Sequence, residues 1–308
     1  MKKILVVLMS IIVIPFSITN FFYDYTYKKI KTGFITNKKD TIIRVLRSNN
    51  TVENLNLEEY LIGVVSAEVP ASFEEEAIKA QAVAARTYAL KKIQNSKNEN
   101  YDVTDTTTTQ VYQSDNELKE KWKDKYNEYK SKIKKCIDDT KGEYLTYNND
   151  IIYAFFFSTS NGKTEDNKDA FGADLPYLKV VDSSFDETET TGFKTTKIFT
   201  LSEFYQKLGI NYSSELNITD KVLTTSGRVK NIKINNIDFK GRDFQSKLSL
   251  RSNDFEIQKD GDNVIIITIG FGHGVGMSQY GANALAKKNK NYKEILNYYY
   301  QGTNLEKL

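Results

Sequence analysis

EEYLIGVVSAEVPASFEEEAIKAQAVAARTYAL, residues 58–90, decides how the chain folds. Leu57, Leu61, Val64 and Glu68 recur at spacings of four, three and four, which predicts a helix over Leu57–Glu68. Pro70 stops it. A second helix is expected beyond Ser72, whose side chain makes a capping box with Glu75, and it continues to about Lys92. Its alanines allow another element to approach closely, and Lys79, Gln81 and Arg86 are long polar side chains suited to a wet cleft. Glu68 is the one acidic residue on the apolar stripe of the first helix. It is either a surface carboxylate at a frayed end or a buried acid. In the second case burial and the nearby helix C-terminus both favour the protonated form, as a general acid requires.

Downstream, Glu117 to about Cys136 reads as a third helix, with Leu118, Trp122, Tyr126, Tyr129 and Ile133 as its stripe. The pattern then turns to strands at Glu143–Tyr147, Ile151–Phe157, Tyr177–Val181, Val229–Ile234 and Val264–Gly270. Ile151–Phe157 is nearly all apolar, which predicts a strand covered on both faces. Leu201–Leu208, Ser278–Ala286 and Tyr292–Tyr300 read as helices, and Ile42–Leu46 as an early strand. The expected fold class is mixed α/β, a helical portion carrying Glu68 and a groove beside a strand-rich lobe. Residues 40–305 form the folded region, with room for a second lobe within 95–240.

With 43 basic and 40 acidic residues among 308, the formal charge of +3 gives no reason to expect nucleic acid. Lys2 and Lys3 precede an apolar run of 19 residues, Ile4 to Phe22, long enough for a membrane helix. Residues 1–22 are therefore expected to be a membrane anchor and 23–39 a juxtamembrane tether, with the remainder exported. A cleaved secretory signal is the alternative. A single cysteine excludes an internal disulfide, and Cys136 reads as a buried apolar residue.

The 58–90 stretch resembles the signature of the stage II sporulation protein D family. Three further stretches match in order: FSTSNGKTED from Phe157, GRDFQSKLSLRSNDFEI from Gly241, and GFGHGVGMSQYGANALAK from Gly270. The resemblance spans roughly residues 40–303. It implies a lytic transglycosylase, made in the mother cell, that acts on peptidoglycan during engulfment of the forespore. It places the protein in the mother-cell membrane as a single-pass protein facing the wall between the two cells. The implied substrate is denuded glycan. The implied partners are a sporulation amidase, stage II sporulation protein P, and the membrane protein stage II sporulation protein M. The family's glutamate before a Val-Pro or Met-Pro dipeptide falls on Glu68. Such an acid would protonate the glycosidic oxygen after N-acetylmuramic acid, then accept the C6 hydroxyl proton as a 1,6-anhydro ring closes. This needs one carboxyl group where ordinary glycosidases use two.

Other matched positions are expected to line the substrate groove: Lys79, Gln81, Arg86, Tyr88, Ser158, Ser160, His273, Gln279 and Tyr280. Several have a plainer reading. Lys79 and Arg86 suit a solvated surface, Tyr88 a core aromatic, and the alternating glycines around His273 a packed turn. The chain departs from relatives that carry a histidine where Phe157 stands. Some members hold zinc through local histidine and cysteine residues, a cluster that the distant His273 and Cys136 do not reproduce. No metal or other cofactor is expected. A noncatalytic wall-binding scaffold of the engulfment machinery is the competing reading, and a hydrolase leaving reducing ends another.

Overall fold

The computed structural model describes residues 41–308. Strands β1 (Ile42–Leu46) and β2 (Val52–Asn56) lead into helix α1 (Leu57–Glu68) and then α2 (Glu75–Asn95). After β3 (Val103–Thr104) come α3 (Asp115–Trp122), α4 (Tyr126–Asp139), β4 (Glu143–Tyr147), β5 (Asp150–Ile151) and β6 (Phe156–Phe157). Next are α5 (Asn167–Phe171), α6 (Asp186–Glu189), β7 (Lys194–Thr200) and α7 (Leu201–Leu208). The strand-rich portion continues with β8 (Ile218–Leu223), β9 (Val229–Ile234), β10 (Ile237–Lys240), α8 (Gly241–Lys247), β11 (Phe255–Asp260) and β12 (Asn263–Ile269). The chain closes with β13 (Met277–Ser278), α9 (Gln279–Lys287), α10 (Tyr292–Tyr299) and β14 (Asn304–Lys307). The fold is mixed α/β, a helical part beside a strand-rich lobe.

Helix α2 is the axis of the helical part. Helices α1, α4, α9 and α10 and strand β4 all pack on it. Its small side chains make this approach affordable on every side: Ala77, Ala80, Ala82, Ala84, Ala85 and Ala89 are all buried. The strand-rich lobe has its own core, in which Phe204, Phe244, Phe255, Ile232 and Ile266 pack between two antiparallel sheets of order β10-β9-β8 and β11-β12-β7. Phe244 stacks on Phe255 with ring centres 4.7 Å apart.

Several expectations are corrected. The Ser72 capping box does not form: Glu74 is the N-cap of α2 and makes no side-chain cap bond. Its amide instead donates to Asn283 Oδ1 of α9 at 2.9 Å, so a tertiary partner replaces the local one. The expected third helix is broken at Lys123, where φ is 47°. The chain folds back so that Tyr126 and Lys130 both reach Asp115 at the start of α3. In a straight helix Tyr126 would lie about 16 Å along the axis from Asp115. The apolar run 151–157 turns sharply, with the Phe155 amide donating to Tyr153 O, and only its ends pair as strands. Residues 177–181 bond to the 164–167 backbone and the Thr164 hydroxyl without forming a strand.

The anchor expected over residues 1–22 and the tether over 23–39 lie outside the described residues. Among the described residues no helix is long and apolar enough to cross a membrane. The single-pass membrane assignment is corrected accordingly: no spanning helix among the described residues supports it.

Candidate active site

Glu68 is the last residue of α1, half-buried where the helix stops before Pro70. Two donors hold its carboxyl group. The Val111 amide donates to Oε1 at 3.0 Å, and Gln279 Nε2 donates to Oε2 at 3.3 Å. Val111 comes from the loop between β3 and α3, which lies directly on α1 because Gly63 leaves room for it. A Cβ at Gly63 would fall 2.4 Å from both Gln113 O and the Tyr112 ring. Burial raises the Glu68 pKa above the usual carboxylate range, opposed by the Val111 and Gln279 bonds and by the charge of Lys121. Lys121 is itself tethered, donating to Ser66 O at 3.0 Å and Gln113 Oε1 at 3.2 Å, and burial lowers its pKa.

Gln279 reaches Glu68 from the first position of α9. Ser278 caps that helix, its hydroxyl accepting from the Gly281 amide at 3.2 Å. The same hydroxyl donates to Asp186, a fully buried carboxyl group that also accepts from the Ser160 amide at 2.6 Å and Ser183 Oγ at 2.8 Å. Burial raises the Asp186 pKa. Ser160 is therefore buried and tied down, its own hydroxyl donating to Ser183 O at 3.0 Å. The Ser158 carbonyl accepts from the Tyr280 amide at 3.1 Å, and the Tyr280 ring meets Phe73 edge-on at 5.1 Å.

Beside this constellation lie two cavities that share part of their lining and together make up the groove. One, of about 270 Å³, is lined by Tyr88, Thr107–Thr109, Gln110, Phe155 and Phe156. The other, of about 400 Å³, opens along α5, β9 and β10. Phe171, Arg242 and His273 line both and form the neck between them. Gln110 precedes the residue that holds Glu68 and accepts from Tyr60 OH at 3.2 Å. The Tyr88 hydroxyl is pushed up to about 12, chiefly by burial. Glu68 itself lines neither cavity.

His273 is neutral. Burial, with Arg242 and Arg228 nearby, pulls its pKa down to about 3. Its Nδ1 accepts from the Val275 amide at 3.1 Å, and its ring lies 5.5–6.1 Å from those of Phe155, Phe157 and Phe171. The alternating glycines serve close packing: a Cβ at Gly276 would lie 2.0 Å from Phe155 O, and one at Gly274 would lie 2.6 Å from the Arg228 guanidinium. Both have positive φ.

Lys79 and Arg86 are held elsewhere by ion pairs. Lys79 bonds Glu76 at 2.9 Å and Asp139 at 3.3 Å. Arg86, fully buried, forks onto Glu58 at 2.8 and 2.7 Å and reaches Glu143 O at 3.1 Å. Gln81 is buried with neither amide atom bonded. Sequence reasoning missed Val111, Lys121, Phe171, Arg242 and Asp186. Arg242 lay in a quoted motif, whereas the Val111 contribution is a backbone amide and leaves no side-chain signal.

The residues do not fit the zinc site that the family resemblance raises. Cys136 is fully buried with its thiol pushed up to about 11, chiefly by burial, and His273 is enclosed by phenylalanines. Among the described residues no group of three His, Cys, Asp or Glu side chains suits a metal ion.

Fold and site together define an α/β protein in which the Glu68 carboxyl group is held at the end of a helix near a groove, and residues 47–147 match the family described as stage II sporulation protein. The chain is 46% identical over 263 residues to stage II sporulation protein D of Bacillus subtilis, covering 84% of this chain and 76% of that one. It is 43% identical to stage II sporulation protein D of Bacillus amyloliquefaciens, with the same shares covered. The chain belongs to the stage II sporulation protein D family. It is also 29% identical to the amidase enhancer of Bacillus subtilis, across 80% of this chain and 40% of that protein.

Proposed function

We propose that the protein is a lytic transglycosylase that cuts denuded peptidoglycan during engulfment, with Glu68 as its catalytic acid and base. The observation that carries this is the environment of Glu68: a carboxyl group whose pKa is raised by burial, yet aimed by the Val111 amide and the Gln279 side chain. A raised pKa keeps a proton available for a leaving oxygen. Glu68 donates that proton to the oxygen between N-acetylmuramic acid and N-acetylglucosamine, and the bond to the muramyl C1 breaks. The carboxylate then takes the proton of the muramyl C6 hydroxyl while O6 bonds to C1. The proton count balances and no water is consumed. The Val111 and Gln279 donors stabilise the carboxylate formed between the two transfers.

Stage II sporulation protein P would supply denuded strands, and stage II sporulation protein M would be a further partner. One observation favours the scaffold reading instead: Glu68 does not form part of either cavity's lining. Mass spectrometry of digested denuded peptidoglycan separates the two. The protein is expected to release 1,6-anhydromuramyl ends, and Glu68→Gln, folded, to lower their yield by roughly 10²–10⁴. Reducing ends would indicate hydrolysis, and glycan binding without any cleavage the scaffold.

A further inference from the structure

The groove has a cation at its neck that no carboxylate among the described residues bonds directly, Asp243 and Glu165 acting on its charge only at longer range. Arg44, Arg47 and Arg86 each pair with an acidic side chain within 2.8 Å. Arg242 makes no ion pair among the described residues. Its one hydrogen bond is a long 3.5 Å contact to Ala170 O. The guanidinium lies over the exposed ring of Phe171, 4.4 Å from its centre, and is half-buried. It is thus fixed by an aromatic face and partly stripped of water, with donors left over. His273, the other polar group at the neck, is neutral and contributes no charge.

The larger cavity extends the same sign. Lys168, Lys230, Lys240 and Arg242 face it against Glu165 and Asp169. Both carboxylates are occupied: Glu165 accepts from Thr224 and Ser226 hydroxyls at 2.7 Å, and Asp169 pairs with Lys230 at 2.8 Å. The surplus is positive, and its least hydrated member is Arg242. A guanidinium fork matches a carboxylate better than a neutral sugar hydroxyl.

We infer that Arg242, on its Phe171 platform, is the residue that recognises the free lactyl carboxylate of a muramyl sugar lying in the groove, and so distinguishes denuded from peptide-bearing strands. When a stem peptide is attached, the lactyl group is an amide, with no negative charge and a bulky substituent. Removal of the peptide exposes the carboxylate that Arg242 lacks. This rests on the proposed glycan-binding reading of the groove, but not on cleavage.

The test is calorimetric binding of a soluble N-acetylglucosamine–N-acetylmuramic acid oligosaccharide to full-length Glu68→Gln protein, so that turnover does not intervene. The free acid is compared with the same oligosaccharide whose lactyl carboxylates have been converted to N-methylamides. A preference for the acid on the order of tenfold is expected. It should shrink to about twofold or less when Arg242→Gln is added, and persist in part with Arg242→Lys. Inorganic phosphate should displace the acid only weakly; strong displacement would reassign the site to phosphate and overturn the inference. Equal binding of acid and amide, or a preference that survives Arg242→Gln, would also overturn it while leaving the glycan reading intact. If neither oligosaccharide binds, both fall. Should Arg242→Gln fail to fold, the acid–amide comparison in the parent protein and in Arg242→Lys still decides.

Discussion

Glu68 sits between opposing influences, and their balance can be moved one residue at a time. Replacing Gln279 with Leu removes a donor that favours the carboxylate, so the acid should hold its proton to higher pH. The alkaline limb of the cleavage profile should then shift upward, as read from initial rates across pH. The same raised pKa has a consequence for stability. The folded state binds a proton that the unfolded chain has already released, so this contribution is present below the unfolded pKa and is lost as pH rises through the folded one. Glu68→Gln removes that loss. Residue by residue, Glu68 and Gln279 were both legible from their motifs, and the structure joins them. Arg86 was less so: sequence periodicity could not reveal that Glu58, 28 positions away, would take its guanidinium.

At the scale of elements, Gly63 permits the loop carrying Val111 to rest on α1. Gly63→Ala should push Tyr112 and Gln113 away, costing about 1–3 kcal/mol by urea denaturation and loosening the Val111 bond to Glu68. Helices α1 and α7 were readable to the residue because their apolar spacing is regular and their ends are marked, by Pro70 and by Gly209. The break between α3 and α4 was not. Leu118, Trp122, Tyr126, Tyr129 and Ile133 keep helical spacing straight through it, and the reversal depends on Asp115 meeting Tyr126 and Lys130. Strands such as β8 went unseen for another reason. Ile218–Leu223 is mostly exposed, so no alternation of buried and polar positions marks it.

Across the whole molecule, the groove draws its wall from distant parts of the chain: Tyr88 from α2, Phe155 beside β6, Phe171 from α5, Arg242 from α8 and His273 from the glycine run. Motif order marked most of these stretches, but their convergence is a property of the packed molecule. The strand-rich lobe's core bears directly on Arg242. Phe244→Ala, two positions on, empties a fully buried site stacked on Phe255 and should cost about 3–5 kcal/mol in denaturant unfolding. If Arg242 reads the glycan as proposed, affinity should weaken with it, because α8 positions the guanidinium at the neck of the groove.

Asp186 gathers a loop amide and two hydroxyls, one of them from the residue that caps α9, around one carboxyl group shielded from solvent. In deuterated buffer the Ser160 amide hydrogen should accordingly persist as long as those of the core strands, although it lies in a loop. A peptide covering residues 158–162 that labelled within seconds would mean that this junction opens readily, taking with it the support beneath Gln279.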